Sequence, residues 1–422
     1  MSVLEQLYGD DVQTLQRQKR RFEKLKEKYL QQFDNIKNTR IFSAPGRIEI
    51  GGNHTDHNNG RVLTGSINLD SIAMAAVSGN NTVTLYSEGY INPFVVNVNN
   101  LAVIEKEKGT TQALIRGIAA SLNKRGYKTG GFNASITSDV LPGSGLSSSA
   151  SIEVLIAKIF NSLFNDNKIP ADILAQSGQY AENVFFGKPS GLMDQMACAV
   201  GGIISIDFKN PKTPLTEKVA FDFDKQGYNL LVVNTKGSHE NLTDDYAAIP
   251  AEMKAVANEL GKDVCREISM ADLLSKMNTL REKTGDRALL RAFHFIRENE
   301  RVVEQVSALK ENNFNKFLKL INDSGNSSFK WLQNIFTNNN IKEQNITLAL
   351  ALSEYYIDQI GEGACRVHGG GFAGTIQAFL PKSSLDGYRK LIEPVFGKDS
   401  IYVLNIRKYG TIEIKDLNSA VL

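Results

Sequence analysis

The sequence predicts a two-domain protein of mixed α/β class, and three observations support that prediction. The chain has 422 residues, and at roughly 150 residues per domain this length suits two or three domains. Hydrophobic residues make up 42% and charged residues 22% of the chain, which also contains 34 glycines. This composition is typical of a globular protein and argues against disorder, collagen or a coiled coil. Glycine-punctuated strand patterns alternate with amphipathic helix patterns, which favours sheets covered by helices.

The first half of the chain reads as a helical extension followed by a sheet and its helices. Apolar residues recur at helical spacing over residues 12–32, where a basic cluster is interrupted by two glutamates. That mixture favours a solvated helix face over a nucleic-acid arm. We predict strands over 48–50, 72–77, 82–86, 132–136 and 201–208, and helices over 112–125, 147–164 and 171–186. We assign 1–39 to an N-terminal helical extension and 40–215 to a first domain.

The second half predicts another domain, 216–422, with a short strand followed by long helices. The predicted strands lie at 230–233, 374–380 and 401–406, and the predicted helices at 244–260, 286–311, 314–336 and 345–360. The segment 230–233 is apolar at every position. No proline-rich linker separates the halves, so we expect them to share a closely packed interface.

Charge and cysteine content narrow the classes of partner. The 48 Lys and Arg residues nearly balance 46 Asp and Glu residues, so net charge gives no support for nucleic-acid or membrane-surface binding. No stretch approaches the roughly 18 apolar residues of a membrane span, and the start lacks the basic-then-apolar order of a signal peptide. The three cysteines are far apart and odd in number. We expect a reduced, cytoplasmic protein.

A loop rich in glycine and serine, at residues 141–150, follows a predicted strand and opens a strongly periodic helix. Gly143 and Gly145 let backbone amides approach an anion, and three consecutive serines beginning at Ser147 add hydroxyl donors. The helix N-terminus adds unpaired N–H groups and partial positive charge. The loop favours phosphate binding, with a serine-capped helix as the alternative. It is not a Walker A loop, because no Gly-Lys-Ser/Thr follows.

A second polar loop, at residues 45–57, brings many hydrogen-bonding side chains together. Arg47 begins it, and Asn53, His54 and Asp56 follow. Carboxylate and amide groups suit the vicinal hydroxyls of a polyol, and an arginine suits an anion. A plain surface loop is the alternative. Zinc on His54 and His57 is a further reading, but no third ligand is evident.

Two later segments carry weaker signals. Glu182 lies in a predicted helix, and Asp194 follows a Pro-Ser-Gly turn and precedes an apolar run. A carboxylate beside apolar sequence suggests a base or metal ligand, whereas a helix N-cap is the alternative for Asp194. The glycine-dense turn at 368–374 could complete a phosphate cradle or be only a tight turn.

Taken together, these motifs resemble the GHMP small-molecule kinases and, within them, the galactokinase family. The resemblance rests on residues 46–56, 142–150 and 369–374 and on the turn at 190–195, and it spans about residues 40–380. It implies an N-terminal mixed-sheet domain similar to ribosomal protein S5 and a C-terminal ferredoxin-like α+β domain, with the active site in the cleft between them. It also implies ATP-dependent phosphorylation of the anomeric hydroxyl of galactose.

The resemblance assigns roles to individual residues. Asp194 is similar to the residue that accepts the sugar hydroxyl proton, and Arg47 to its charge-stabilising companion. Ser149 and Glu182 are similar to ligands of Mg²⁺. The ATP-phosphate loop is matched by Gly143, Ser144, Gly145, Leu146, Ser147, Ser148 and Ser149. The sugar contacts are matched by Asn53, His54, Asp56, Asp194 and Tyr246.

The chain also departs from the galactokinase pattern. Asn53 stands where that family usually has Glu, and His57 where it has Tyr; the Pro-Glu-Leu-Asp run expected near 338–350 is absent. These departures leave open a kinase for another pyranose, such as an amino sugar, a uronic acid or arabinose. A sensor that binds sugar and ATP without turnover is a third reading, disfavoured because Arg47, Glu182 and Asp194 are all present.

Overall fold

The computed structural model describes residues 2–34, 36–140, 145–237 and 242–415. Within these ranges the helices are α1 Val3–Tyr8, α2 Val12–Phe33, α3 Thr111–Lys124, α4 Ser148–Asn165, α5 Ala171–Tyr180, α6 Met193–Val200, α7 Thr243–Glu259, α8 Met270–Ser275, α9 Met277–Thr284, α10 Asp286–Lys310, α11 Phe314–Ser327, α12 Asn345–Ile360 and α13 Leu385–Phe396. The strands are β1 Arg40–Gly51, β2 Arg61–Val77, β3 Thr82–Ser87, β4 Phe94–Asn97, β5 Phe132–Ser138, β6 Ile203–Asp207, β7 Leu215–Val219, β8 Tyr228–Asn234, β9 Ala364–His368, β10 Thr375–Pro381, β11 Ile401–Leu404 and β12 Ile412–Ile414.

The first sheet is mixed and is organised around the long strand β2. Its order is β12-β1-β2-β5-β3-β4, and β6 and β7 extend it from the first half of β2. The β3–β5 pair is parallel and the other pairs are antiparallel. The mixed α/β class is confirmed.

Alternation along the strands gives this sheet two buried faces. Ile41 and Met74 are paired across β1 and β2 and pack with α1 and α2, whereas the next pair, Phe42 and Ala73, belongs to the core under α3–α6. Successive strand residues point to opposite faces, so each face is apolar. The N-terminal helices therefore cover one face of the first sheet.

The second sheet has the order β11-β8-β10-β9 and is antiparallel throughout. Leu230 packs in the core shared with Ile48 of β1 and with α10 and α11, whereas Leu231 packs under α12 and α13. Both faces of β8 are therefore buried, which is typical of a strand with an uninterrupted apolar sequence. The shared core joins the two sheets into one closely packed interface.

Several predicted elements end differently in the structure. The predicted helices 171–186 and 314–336 each stop early and continue as a π-helical turn, Ala181–Phe186 and Ser328–Leu332. The short elements α8, α9, β9 and β12 have no counterpart in the predicted set. A boundary between domains at 215/216 stays a prediction: β7 extends the first sheet beyond it, and β12 returns to that sheet from the far end of the chain. In the described ranges, we find no helix with the length and apolar character needed to cross a membrane.

Candidate active site

Arg47 and Asp194 form an ion pair between β1, the start of α4 and the start of α6, in what we call the cleft. Arg47 lies where the register of β1 with β2 shifts after Pro45, an irregularity that re-aims a side chain. Its Nε is 2.7 Å from Oδ1 of Asp194, in the first turn of α6. Arg47 is almost wholly buried, whereas the Asp194 side chain keeps 33% of its surface exposed. The pair therefore presents a carboxylate, backed by a guanidinium, to the open cleft.

Ser147 completes this cluster from the loop before α4. Its backbone is left-handed, with φ 59°, and its hydroxyl donates to Oδ2 of Asp194 at 2.5 Å. Burial alone would raise the pKa of Asp194, but the charge of Arg47 and the hydrogen bonds from Arg47 and Ser147 lower it below its ordinary value. Asp194 is thus an ionised acceptor. It is not the N-cap of α6, a position held by Leu192.

The described part of the phosphate loop lies beside this cluster. Gly145 has φ +70°, and its carbonyl accepts a hydrogen bond from Arg47. Ser147 occupies the N-cap position of α4 without capping it through its side chain, so the serine-cap alternative is wrong. Ser149 is exposed in the first turn, and Leu146 is buried and accepts from the Arg47 amide at 3.1 Å. The predicted loop residues Gly143 and Ser144 lie outside the described residues.

Glu182 lies at the other side of Asp194, in the π-helical turn after α5. Its Oε2 accepts from Nε2 of Gln195 at 3.1 Å, and the same amide nitrogen donates to Oε2 of Glu153 at 2.9 Å. Lys188 donates to Oε1 of Glu182 at 3.0 Å. Burial and the nearby charge of Glu182 raise the pKa of Glu153 well above its ordinary value, so Glu153 favours its neutral form.

Glu182 and Ser149 as ligands of Mg²⁺ stay a prediction. In the chain as far as it is described, no three His, Cys, Asp or Glu side chains form a ready-made cation cage. Mg²⁺ is usually bound by one or two carboxylates together with substrate phosphates. Glu182 at the N-terminal side of α6, with the exposed Ser149 hydroxyl on α4, fits that pattern.

The opposite wall of the cleft carries the predicted sugar-binding side chains. Asp56 lies so close to Gly191, three residues before Asp194, that a Cβ on Gly191 would be 2.0 Å from Oδ2 of Asp56. His54 Nε2 is 2.8 Å from the carbonyl oxygen of Gly370. Burial, with the nearby His57 ring adding to it, lowers the pKa of His54 to about 3. His54 is therefore neutral and donates through Nε2.

Tyr246 reaches the same wall from α7 and contacts the glycine-rich turn. Its hydroxyl donates to the carbonyl of Gly371 at 2.9 Å, and its ring packs edge-on against Phe372. A Cβ at Gly370 would lie 2.6 Å from the Tyr246 ring, so that position accepts only glycine. The predicted turn therefore positions Tyr246 beside His54.

Asn53 occupies a different environment from the other predicted sugar contacts. It is fully buried, and its Nδ2 donates to Oε1 of Glu49 at 2.9 Å and to the carbonyl of Gly369 at 2.7 Å. Its Oδ1 accepts from Asn334 at 2.8 Å and from Ser328 at 3.3 Å. All four hydrogen-bonding positions of the amide are thus used within the protein. A sugar contact by Asn53 stays a prediction that requires one of these bonds to be replaced.

Two buried charged residues that were not predicted as site residues, Arg366 and Glu298, support this wall. Arg366 of β9, fully buried, donates to Glu49 at 2.7 Å and to the carbonyl of Ile50 at 3.0 Å. Glu298 of α10 accepts from the Gly52 amide at 3.0 Å. No local motif marks either residue, because each partner lies more than 240 positions away.

The comparisons with known proteins agree with this geometry. The family model described as "GHMP kinases N terminal domain" matches residues 113–202, and that described as "Galactokinase galactose-binding signature" matches residues 27–77. A galactokinase of Thermotoga petrophila is 32% identical over 343 residues, which are 81% of this chain and 89% of that protein.

Two solved structures share the architecture. The structure of Lactococcus lactis galactokinase complexed with galactose matches with a TM-score of 0.79 and 25% identity, covering 93% of this chain and all of that one. A mevalonate kinase structure matches with a TM-score of 0.60 and 18% identity, covering 87% of this chain and 98% of that one, and shows the shared fold alone.

Fold and site together define a kinase of the GHMP class. Within that class, the chain belongs to the galactokinase family. The two-sheet arrangement and the kinase assignment expected from the motifs are thereby confirmed.

Proposed function

We propose that this kinase transfers the γ-phosphoryl group of ATP to the anomeric hydroxyl of galactose, which yields galactose 1-phosphate and ADP. The observation that carries the proposal is the Arg47–Asp194 pair, set between the N-terminus of α4 and the wall that bears Asp56. The galactose-binding signature at residues 27–77 and the relatives named galactokinase support the choice of sugar.

Asp194 orients the sugar hydroxyl and receives its proton. The hydroxyl oxygen forms a bond to the γ-phosphorus, the bond from that phosphorus to the β–γ bridging oxygen breaks, and ADP leaves. Such transfers proceed through a loose transition state that depends more on positioning and charge stabilisation than on a strong base. The lowered pKa of Asp194 suits this order, because the carboxylate stays ionised and accepts the proton as the oxygen–phosphorus bond forms.

Arg47 and the start of α4 stabilise the phosphoryl group. Arg47 keeps its charge beside the reacting oxygen, and the amides and hydroxyls from Ser147 onward point from a helix N-terminus. Glu182 and Ser149 would hold Mg²⁺, which neutralises charge on the β- and γ-phosphates when bound.

His54, Asp56 and Tyr246 bind the remaining sugar hydroxyls in this proposal. Neutral His54 accepts through Nδ1 and Tyr246 through its hydroxyl oxygen, because their hydrogens are donated to the carbonyls of Gly370 and Gly371, and the Asp56 carboxylate accepts from vicinal hydroxyls. Asn53 stabilises the wall that carries these residues. It contacts the sugar only if one of its hydrogen bonds to the protein is replaced. That difference favours a second candidate, a kinase for another pyranose, because position 53 offers the sugar no free carboxylate.

The experiment that tests the function is ADP release from ATP and Mg²⁺ against a panel of free sugars, with phosphorus NMR of the product. We expect galactose-dependent turnover that yields an anomeric phosphate. Turnover with another pyranose alone would replace galactose by the second candidate. Absence of turnover with every sugar would overturn the proposal.

We further propose that the enzyme acts as a monomer in the cytoplasm. Cys198, Cys265 and Cys365 are buried free thiols. Free thiols are typical of a reducing compartment. Sedimentation of the purified enzyme would test the oligomeric state, and a dimer would contradict it.

A further inference from the structure

The buried carboxylate of Glu182 is paired with the ammonium of Lys188. Oε2 is held by Gln195 at 3.1 Å, and Oε1 accepts from Lys188 at 3.0 Å. The Glu182 side chain is only 4% exposed, whereas the Lys188 side chain is 61% exposed. The ion pair thus joins a fixed buried anion to a cation that has direct access to solvent.

The main chain around Lys188 is fixed on Glu182. The amides of Gly187 and Lys188 both donate to the backbone carbonyl of Glu182, at 3.0 and 3.1 Å. Gly187, with φ +87°, ends the π-helical turn. These bonds hold the Lys188 backbone in place, so its ammonium can leave Oε1 by rotation of its flexible side chain alone.

The surroundings explain why a cation is needed there. Glu153, Glu182 and Asp194 are three carboxyl groups within electrostatic reach of one another, and Arg47 pairs with Asp194. Lys188 is the cation that pairs with Glu182, and the charges of Glu182 and Asp194, against the effect of burial, raise the pKa of Lys188 above its ordinary value. Removing it would leave Glu182 buried without a counter-charge, which is unfavourable.

We propose that Lys188 is an exchangeable counter-ion for Glu182, which it holds in the metal-free enzyme and releases when Mg²⁺ arrives with the nucleotide. The inference rests on the proposed function, since it takes Glu182 as a metal ligand. Two cations then compete for one carboxylate oxygen. Coupling of this kind changes affinities about 5- to 150-fold, so Lys188 would reduce the dependence of nucleotide binding on Mg²⁺.

The test is titration calorimetry with adenylyl imidodiphosphate, a nonhydrolysable ATP analogue, in Mg²⁺ and in EDTA. The ratio of the two dissociation constants measures the metal dependence. In Lys188→Met and Lys188→Gln, metal-free binding is weakened because the phosphates lie near a Glu182 carboxylate without a counter-ion. Binding with Mg²⁺ is strengthened because the metal no longer has to displace an ammonium. We expect the ratio to rise about tenfold, within the usual range of such couplings.

Three further variants make the result decisive. Lys188→Arg keeps the cation, and Lys168→Met removes a lysine from an exposed pair with Asp166 in the same domain; both should keep the wild-type ratio. Glu182→Gln should bring the ratio close to one. The counter-ion proposal is overturned if Glu182→Gln brings the ratio close to one but Lys188→Met and Lys188→Gln keep the wild-type ratio. Equal weakening of the metal-free and Mg²⁺ complexes would count as an unchanged ratio. If Glu182→Gln leaves the ratio unchanged, the metal site itself is wrong.

Discussion

Asn53 donates a hydrogen bond from Nδ2 to Oε1 of Glu49, and the same carboxylate oxygen accepts from the buried guanidinium of Arg366. This contact connects the polar loop of the first sheet with β9 of the second. Because Asn53 supplies two donors and two acceptors to protein groups, its amide is a structural part of the cleft wall.

Asn53→Glu should destabilise the enzyme. A carboxylate there offers no donor to Glu49 or to the Gly369 carbonyl and places a second negative charge beside Glu49 in a buried site. Leaving buried polar groups unpaired costs about 1–3 kcal/mol each, and more for charged groups, so we expect the free energy of unfolding to fall by about 2–4 kcal/mol. Urea denaturation measures the change.

The double variant Glu49→Asn/Asn53→Glu is the matched control. It keeps one carboxylate near Arg366 and restores a donor beside it, so we expect it to recover part of the lost stability. Equal stability of Asn53→Glu and the wild type would show that position 53 has room for the carboxylate. In that case, improved turnover of galactose would favour a direct sugar contact.

Asp194→Ala should abolish turnover while nucleotide still binds. A positioned base contributes about 10²–10⁴-fold to a rate, and Asp194 is the carboxylate paired with Arg47 in the cleft. We expect the rate constant kcat to fall by about 10²–10⁴-fold or more. The affinity for the ATP analogue should change by less than about tenfold. Steady-state kinetics and calorimetry give the two values. Retained turnover would remove Asp194 from the mechanism.

Ser147→Ala should shift the pH dependence of kcat/KM. The Ser147 hydroxyl is one of the groups that lower the pKa of Asp194, so its loss raises that pKa. Activity that requires ionised Asp194 is present above the pKa and is lost as the pH falls through it. The acidic limb of the profile should therefore move to higher pH in the variant.

Ser148→Ala is the control for that shift, since Ser148 belongs to the same predicted phosphate loop and makes no hydrogen bond to Asp194 among the described contacts. Any loss of activity in Ser148→Ala should be equal at every pH, so the acidic limb should stay where it is in the wild type. An acidic limb that stays in place in Ser147→Ala would contradict an influence of Ser147 on Asp194.

Gly191→Ala should weaken sugar binding more than nucleotide binding. The added Cβ would lie 2.0 Å from Oδ2 of Asp56, so the carboxylate or the turn must move. A displacement of about 1 Å can cost up to 10²-fold in rate, and we expect the sugar KM to rise about tenfold. Initial rates with sugar and ATP varied in turn separate the effects. An equal rise in both KM values would place Asp56 outside the sugar site.

Local sequence was sufficient for the elements whose signals are continuous. The helix at 147–164 corresponds to α4, because its apolar stripe is long and regular. The predicted strand 230–233 forms the buried core of β8. Short elements such as β9 and β12 escaped prediction, because three to five residues carry too little periodicity to separate a strand from a loop.

The motifs likewise identified the residues that carry the chemistry, but not all of the residues that hold them in place. Arg47 and Asp194 were predicted as a pair from their resemblance to a kinase family, and they are in contact. Lys188 lies in an ordinary turn and shows its relation to Glu182 only through the ion pair. Glu298 reads as one charge on a long amphipathic helix, although it accepts from a backbone amide 246 positions away.

The sequence by itself therefore determined the class of fold, the kinase chemistry and the loops that carry it, because glycine spacing, helix periodicity and motif order are local properties of the chain. The tertiary structure decided which polar groups are available to a ligand. Asn53 and Asp56 are neighbours in one loop. The Asn53 amide makes all its hydrogen bonds within the protein, whereas the Asp56 carboxylate lies beside Gly191. Burial and pairing depend on residues from distant strands and helices, and no local pattern contains that information.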